Sequence, residues 1–303
     1  MSDLLPPPGY RARPANLADV SEIHRLVTAC EQALHGRAEA DADRIAAELS
    51  RPGLDPAADS ILVYAPPGDL AGWAWVDRRC VVDVHPGHHG RGIGAFLLTW
   101  ACRRARARGT TRLTQTVPDA DRAAAALLRD RGFTPLVSEW LLGIDLAGEP
   151  QVPTPPAGVT VRPFRAGDET SVYQLVEDAF AEWQPRRHTY DEWARLTVRR
   201  TSFAAELSPL AFAGDALVGA VLSLDGSDHD GDGYVERVAV RRDHRHRGIA
   251  RLLLRYAFRA GHQRGQRRVM LATHSDTGAL ALYERVGMRV RRSSTVYACD
   301  VAD

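Results

Sequence analysis

The sequence predicts an α/β (α+β) protein built twice over: two tandem domains, each a mixed, mostly antiparallel sheet flanked by helices. Three observations lead there. A chain of 303 residues is long for one domain and suits two. Its halves repeat: Gly9-Tyr-Arg-Ala-Arg-Pro14 reads like Gly158-Val-Thr-Val-Arg-Pro163, Asp19 matches Asp168, and Leu26-Val27 matches Leu175-Val176. In each half a glycine turn, at Gly92 or Gly248, joins an apolar alternating run to a segment with helical spacing.

The elements follow the same order in both halves. A short strand comes first, at Tyr10–Arg13 and Val159–Arg162. Two helices follow, at Leu17–Gln32 and Ala40–Leu49, then at Gly167–Phe180 and Tyr190–Arg199. A strand at Ile61–Ala65 or Leu210–Ala213 turns into a hairpin partner at Leu70–Val76 or Ala216–Leu224. Gly-Asp at 68–69 and 214–215 has the turn chemistry each hairpin needs. The strand entering the glycine turn and the long helix leaving it come next, and strand, helix, strand, strand closes each half. The proline-rich stretch Ala147-Gly-Glu-Pro-Gln-Val-Pro-Thr-Pro-Pro156 reads as a stiff linker. The predicted domains are therefore 1–146 and 158–303, with a linker at 147–157.

Composition narrows the function classes. Formal net charge is +1, which argues for neither nucleic acid nor an acidic membrane as partner. No apolar run approaches the ~20 residues that span a bilayer. Met-Ser-Asp-Leu-Leu-Pro lacks the regions of a signal peptide, so a cytoplasmic protein is expected. Cys30, Cys80, Cys102 and Cys299 show no paired or metal-type spacing, and reduced thiols follow. The chain contains no lysine, so no ammonium side chain can act as base or form a Schiff base.

The chemistry concentrates at Val238-Ala-Val-Arg-Arg-Asp-His-Arg-His-Arg-Gly-Ile-Ala250. A strand, a basic turn and a helix start gather backbone N–H groups and the positive end of the helix dipole at one spot, which suits a pyrophosphate. Gly248 removes a Cβ there, Ala250 keeps the helix start narrow, and Arg245 and Arg247 add charge. The spacing Arg245-x-x-Gly248-x-Ala250 resembles the acetyl-CoA signature of the GNAT family of N-acetyltransferases, and the element order looks like that fold twice. A bare basic strand–helix turn is the alternative for the six residues taken alone. The architecture is similar to tandem members of the family, mycothiol synthase and actinobacterial tandem acetyltransferases among them.

The resemblance implies acetyl transfer from acetyl-CoA to the primary amine of a small molecule, by direct attack. Glu236, on the strand feeding the turn, would be the base; it shares a face with Val238 and Val240 if that strand is regular. Relatives sometimes place the base two residues earlier, where this chain has Tyr234. An ion pair with Arg237 is the structural alternative for Glu236. Tyr283, in Leu280-Ala-Leu-Tyr-Glu-Arg-Val-Gly-Met288, would be the acid, with core packing as its alternative. Val238, Ala239 and Val240 would pair with the cofactor's pantetheine arm, while Arg245, His246, Arg247, Gly248, Ile249 and Ala250 would cradle its pyrophosphate. Asp276, where the family has Asn, would cap a helix or touch the cofactor.

The first copy extends the resemblance to a second CoA at Val82, Asp83, Val84, His89, Gly90, Arg91, Gly92, Ile93 and Gly94. Counted from its turn, Cys80 falls at the place of Glu236 and Leu128 at that of Tyr283, so this half would be structural or CoA-holding. His85, His88 and His89 match no common zinc spacing, and no metal site is expected. Asp228-His-Asp-Gly-Asp-Gly233 imitates the start of a calcium loop but reaches Ala239 where the loop needs Glu. Trp183, Tyr190 and Trp193 fall where the family walls its acceptor pocket, and core packing explains them equally well. A protein N-acetyltransferase and a non-catalytic CoA sensor are the rival functions. A monomer whose copies form an internal pseudo-dimer is the expected state.

Overall fold

A computed structural model describes residues 4–301 apart from 39, 78, 185 and 227–230. The Asp228–Gly233 turn therefore lies largely outside the described residues.

The N-terminal unit runs β1 (Arg11–Arg13), α1 (Val20–His35), α2 (Ala42–Leu49), α3 (Pro56–Asp59), β2 (Ser60–Tyr64), β3 (Leu70–Val76), β4 (Cys80–Val84), α4 (Ile93–Ala107), β5 (Arg112–Pro118), α5 (Arg122–Asp130) and β6 (Thr134–Asp145). The C-terminal unit follows with β7 (Val159–Pro163), α6 (Glu169–Phe180), α7 (Tyr190–Leu196), β8 (Pro209–Ala213), β9 (Ala216–Leu224), β10 (Gly233–Val240), α8 (Ile249–Gln263), β11 (Arg268–His274), α9 (Leu280–Arg285) and β12 (Arg289–Asp300). The predicted order holds in both halves as far as the long helix, apart from the added α3, but each half then closes with strand, helix and one long strand, β6 or β12, where two strands were expected. The predicted ends shift by a few residues, as expected where capping residues rather than apolar spacing set them.

In the N-terminal unit β1–β4 form an antiparallel meander. One face of β2 and β3 packs Leu62, Trp73 and Trp75 against Ile23 and Leu26 of α1 and Ile45 and Leu49 of α2. The other face packs Val63, Ala71 and Ala74 against Ile93, Phe96 and Leu97 of α4. In the C-terminal unit the strand order is β7-β8-β9-β10-β11-β6. Leu210, Ala220 and Leu222 face α6 and α7, and Val218 and Val221 face α8 and α9. A sheet buried on both faces explains why the strands read as nearly continuous apolar runs.

The repeat is visible in the joints. Arg13 grips Asp19 through two hydrogen bonds of 2.8 and 2.6 Å. Arg162 grips Asp168 the same way at 2.7 and 2.8 Å. Gly72 and Gly219 sit at corresponding places; a Cβ on either would come within 2.9 Å of the isoleucine that opens α4 or α8, Ile93 or Ile249. The Gly214-Asp215 turn makes a two-residue hairpin between Ala213 and Ala216. The first hairpin closes further out, with the Ala65 N–H donating to the Asp69 carbonyl at 2.8 Å.

The domain limits differ from the expected 146 and 158. The first unit comprises Met1–Ser138 with Ser294–Asp303, the second Glu139–Ser293. Ser294–Asp300 of β12 pairs antiparallel with β5, placing Tyr297 and Val301 in the first unit's core. Glu139–Asp145 of β6 pairs antiparallel with β11 in the second. The strands exchange because each completes an open β5 or β11 edge. The expected linker also belongs to the second unit: the Arg259 Nε donates to the Pro150 carbonyl at 3.3 Å, and the Leu146 N–H to that of Arg267 at 2.8 Å. No helix among the described residues is long and apolar enough to cross a membrane.

Candidate active site

The site in the C-terminal unit forms where β10 parts from β11. The two strands run parallel and pair only at Gly233–Val269 and Tyr234–Met270. Past that point β10 keeps its ladder with β9 and has no strand partner on the β11 side among the described residues. The register with β9 shifts between Val235 and Arg237, so Glu236 is the extra residue of a β-bulge. Bulges bend a strand and increase its twist, which is how two parallel strands separate after two residues.

The bulge also corrects the face assigned to Glu236. Val235, Val238 and Val240 pack toward α8 and α9, while Ala239 packs toward α6 and α7. That sequence is not a regular alternation, so Glu236 is not simply on the side of Val238 and Val240. Its carboxylate is 3.1 Å from Arg237, whose guanidinium lies over the Phe180 ring. The ion pair is present, and the carboxylate keeps 20% of its side-chain exposure, enough for a ligand to reach it.

Two phenols join it. The Tyr234 hydroxyl accepts a hydrogen bond from the Ala272 N–H on β11 and lies in the field of Glu236. Tyr283 is 8% exposed, on α9, and burial with Tyr234 nearby pushes its phenol up to about 12. No side-chain hydrogen bond of its hydroxyl is seen among the described residues, and the residue as a whole keeps 8% of its exposure. Tyr234 thus lies within electrostatic reach of Glu236 on one side and of Tyr283 on the other. Asp276 does not cap α9: Ala279 stands at the cap position, the Thr277 hydroxyl takes its N–H, and Asp276 lies 3.9 Å from His274.

The glycine turn sits at the far end of the seam. Gly248 has φ +79, a left-handed conformation, and a Cβ there would meet nothing within 4 Å. The backbone angle, more than the space, demands glycine. The first helical bond runs from the Leu252 N–H to the Gly248 carbonyl. Among the described residues, no backbone N–H from His246 to Arg251 donates to another backbone group. These free donors at the start of a 15-residue helix suit an anion. Arg247 is exposed with no partner among the described residues. Arg245 is different from expectation. Its guanidinium donates to the Val240 and Ala179 carbonyls at 3.3 and 3.1 Å and lies over the Trp183 ring, so it braces the loop. Tyr190 and Trp193 pack with Tyr173 inside the α6–α7 layer.

The N-terminal unit repeats the turn. Gly92 has φ +81, and the Phe96 N–H bonds to its carbonyl. His89 Nε2 lies 3.0 Å from the Val84 carbonyl, as Arg245 lies by Val240. Gly90, at φ +72, holds the place of His246. The seam is different: β4 and β5 form no ladder among the described residues, and the buried Gln115 side chain reaches from β5 to the Val82 carbonyl and the Cys80 thiol, at 3.5 and 3.4 Å. Burial pushes the Cys80 thiol up, and nothing activates it. Neither Gln115 nor the bulge is visible in the sequence, since a buried Gln and an extra strand residue leave no periodic trace. The histidines of the turn have local hydrogen-bond partners. His85 Nδ1 accepts from the Gly87 N–H, and His88 Nδ1 lies 3.1 Å from the Tyr10 hydroxyl.

A doubled α/β unit, with two central parallel strands of its second copy parting beside a glycine-started helix, defines an acyltransferase class of fold. The acetyltransferase (GNAT) family model matches residues 22–133 and again 170–288. The chain belongs to that family and is an N-acetyltransferase with two GNAT domains. It is 30% identical to a mycothiol acetyltransferase of Catenulispora acidiphila, over 95% of this chain and 98% of that one. A GCN5-related N-acetyltransferase of Sphaerobacter thermophilus has the same fold, with a TM-score of 0.80 and 30% identity over 99% of this chain and 98% of that one. A tandem GNAT protein from the clavulanic acid biosynthesis pathway matches in fold at a TM-score of 0.67 and 21% identity, over 97% and 99%.

Proposed function

We propose that the C-terminal unit transfers an acetyl group from acetyl-CoA to a primary amine of a small molecule, and that the N-terminal unit is structural or holds a cofactor without catalysing. The observation that carries this is the open seam: unpaired β10 backbone leads from a turn of free N–H groups to Glu236 and Tyr283. The similarity to mycothiol acetyltransferases favours a small molecule over a protein as acceptor.

When bound, acetyl-CoA supplies an acetyl thioester and a leaving thiolate. The N–H groups of 246–251 would hold its pyrophosphate, with Arg247 adding charge. The free edge of Val238–Val240 would pair with the pantetheine arm as a strand pairs, and a backbone N–H there would polarise the thioester carbonyl. Glu236 would take a proton from the attacking ammonium. Tyr283 stays protonated because of its burial, so it can donate to the sulfur and cannot act as a base.

Calorimetric titration with acetyl-CoA tests the cofactor. Binding should vanish in Gly248→Glu, which forces a side chain into a left-handed backbone position and a negative charge into the cradle. Ala250→Glu adds the charge without the backbone strain and should also weaken binding. No binding by the unaltered protein would overturn the proposal. Free thiol released from acetyl-CoA across a panel of amines would then identify the acceptor.

A further inference from the structure

The N-terminal unit contains a carboxylate that its fold does not require. Asp83 stands on β4, directly across from Trp73 on β3. One carboxylate oxygen accepts the Trp73 indole N–H at 2.9 Å. The other has no protein partner among the described residues. The side chain is surrounded by protein, yet the residue remains within reach of solvent.

Other deeply set acids of this chain have a basic partner. Asp59 holds Arg104 and Arg108, Asp19 holds Arg13, and Glu177 holds His188. Asp83 faces no base among the described residues. The strongest charges acting on it are negative: Glu31 from α1, Glu48 from α2 and Asp121 before α5. Burying an unpaired charge is costly, and burial pushes the Asp83 carboxyl up to about 6; at neutral pH it is still largely ionised, so a cation beside it would be favoured.

Holding Trp73 does not explain it. Trp75, two residues on and packed in the same layer, is 1% exposed with its indole N–H unpartnered, so this layer tolerates an unpaired indole. The corresponding position of the C-terminal unit is Ala239, sealed at 1% exposure. The same strand thus folds with a methyl group there.

We propose that the N-terminal unit binds a small organic ammonium ion, with Asp83 as its counter-ion and Trp73 as part of its wall. A metal ion fits less well. Among the described residues no three His, Cys, Asp or Glu side chains converge to hold one, and the other groups at hand are the indole and the Cys30 thiol, which already donates to the Val84 carbonyl at 3.3 Å. One carboxylate beside an aromatic wall suits a monovalent, partly apolar cation. The site is separate from the acyl-transfer seam and does not rest on that function.

Tryptophan fluorescence of the full chain, titrated with butylammonium chloride, tests it. Butanol is the neutral isostere and sodium chloride the ionic control. Saturable binding of butylammonium, with none of butanol or sodium, is expected. Asp83→Asn, which keeps an acceptor for Trp73, should weaken it by roughly tenfold or more. Asp83→Ala, copying Ala239, serves if the Asn variant does not fold. Glu236→Gln should leave the titration unchanged. Equal binding by the wild type and the folded Asp83 variants, an equal response to sodium, loss in Glu236→Gln alone, or no binding of butylammonium would each overturn the proposal.

Discussion

The two units share a skeleton and differ at the seam. Each has the Arg–Asp clasp, the glycine under the helix and the left-handed glycine that starts it. In the C-terminal unit β10, the strand that carries Tyr234 and the proposed base Glu236, parts from β11 after Tyr234. In the N-terminal unit Gln115 crosses the seam, with Cys80 and Leu128 where the proton carriers would stand. The joints that build the domain are kept, while the groups that would move protons are present once. A duplicated fold can therefore lose its chemistry at a few side chains without losing its architecture.

The largest test of this comparison is to take β12 from the first unit. Ending the chain after Ser293 removes Tyr297 and Val301, which are 3% and 1% exposed. Losing them and the strand pairing costs roughly 5 kcal/mol or more, comparable with the whole stability of a domain. Hydrogen exchange should show protection lost across β2–β4 and α4 and kept across β8–β11. Uniform protection in the shortened chain would show that the first unit does not need the strand.

Next come the proton carriers. Glu236→Gln and Tyr283→Phe should each lower turnover by ~10²-fold while leaving the melting temperature nearly unchanged. Cys80→Ala, at the matching place of the other unit, should leave turnover as it was. A loss in the Cys80 variant equal to that of Glu236→Gln would mean both seams work.

The turn offers a smaller contrast. His246 adopts φ +62, whereas the first unit places Gly90 at φ +72. A side chain in the left-handed region costs about 1 kcal/mol. His246→Gly should raise the second unit's stability by up to about that amount, and Gly90→Ala should lower the first unit's, both measured by denaturant unfolding.

The clasps give the smallest effect. Arg13 holds Asp19, and Arg162 holds Asp168, below the ordinary carboxyl value of 3.8. The unfolded chain then binds more protons than the folded one in acid. The stability from each clasp is fully present above ~pH 5 and is lost as pH falls through the folded values. With the arginines partly exposed, each clasp contributes up to about 1 kcal/mol at neutral pH. Asp19→Asn and Asp168→Asn should flatten the acid limb of the unfolding curve for their own unit.

Much of this architecture is legible in the chain. The repeat, the hairpins and both glycine turns rest on local spacing, and local spacing is what a sequence displays. The exchanged strand is not legible, because Tyr297 finds β5 nearly two hundred residues away in the chain. The bulge is hidden too: Val235-Glu-Arg-Val238 could alternate in more than one register, and only the β9 ladder decides. Arg245 reads as a ligand-facing charge in the sequence because its two carbonyl partners, at Val240 and Ala179, come from separate elements. The Asp83 carboxylate stands in plain view beside the first glycine turn, but its bond to the Trp73 indole and its want of a basic partner among the described residues are facts of three-dimensional surroundings.

The strand exchange has a consequence for synthesis. As the chain leaves the ribosome, the N-terminal half emerges first yet must wait for nearly the last residues before its β5 edge is covered. The half that emerges second closes its own sheet sooner, once Arg268–His274 has met the strand at 139–145. Order of emergence and order of sheet closure are thus reversed. Until Ser294–Asp300 has been made, the earlier half carries an uncovered strand edge.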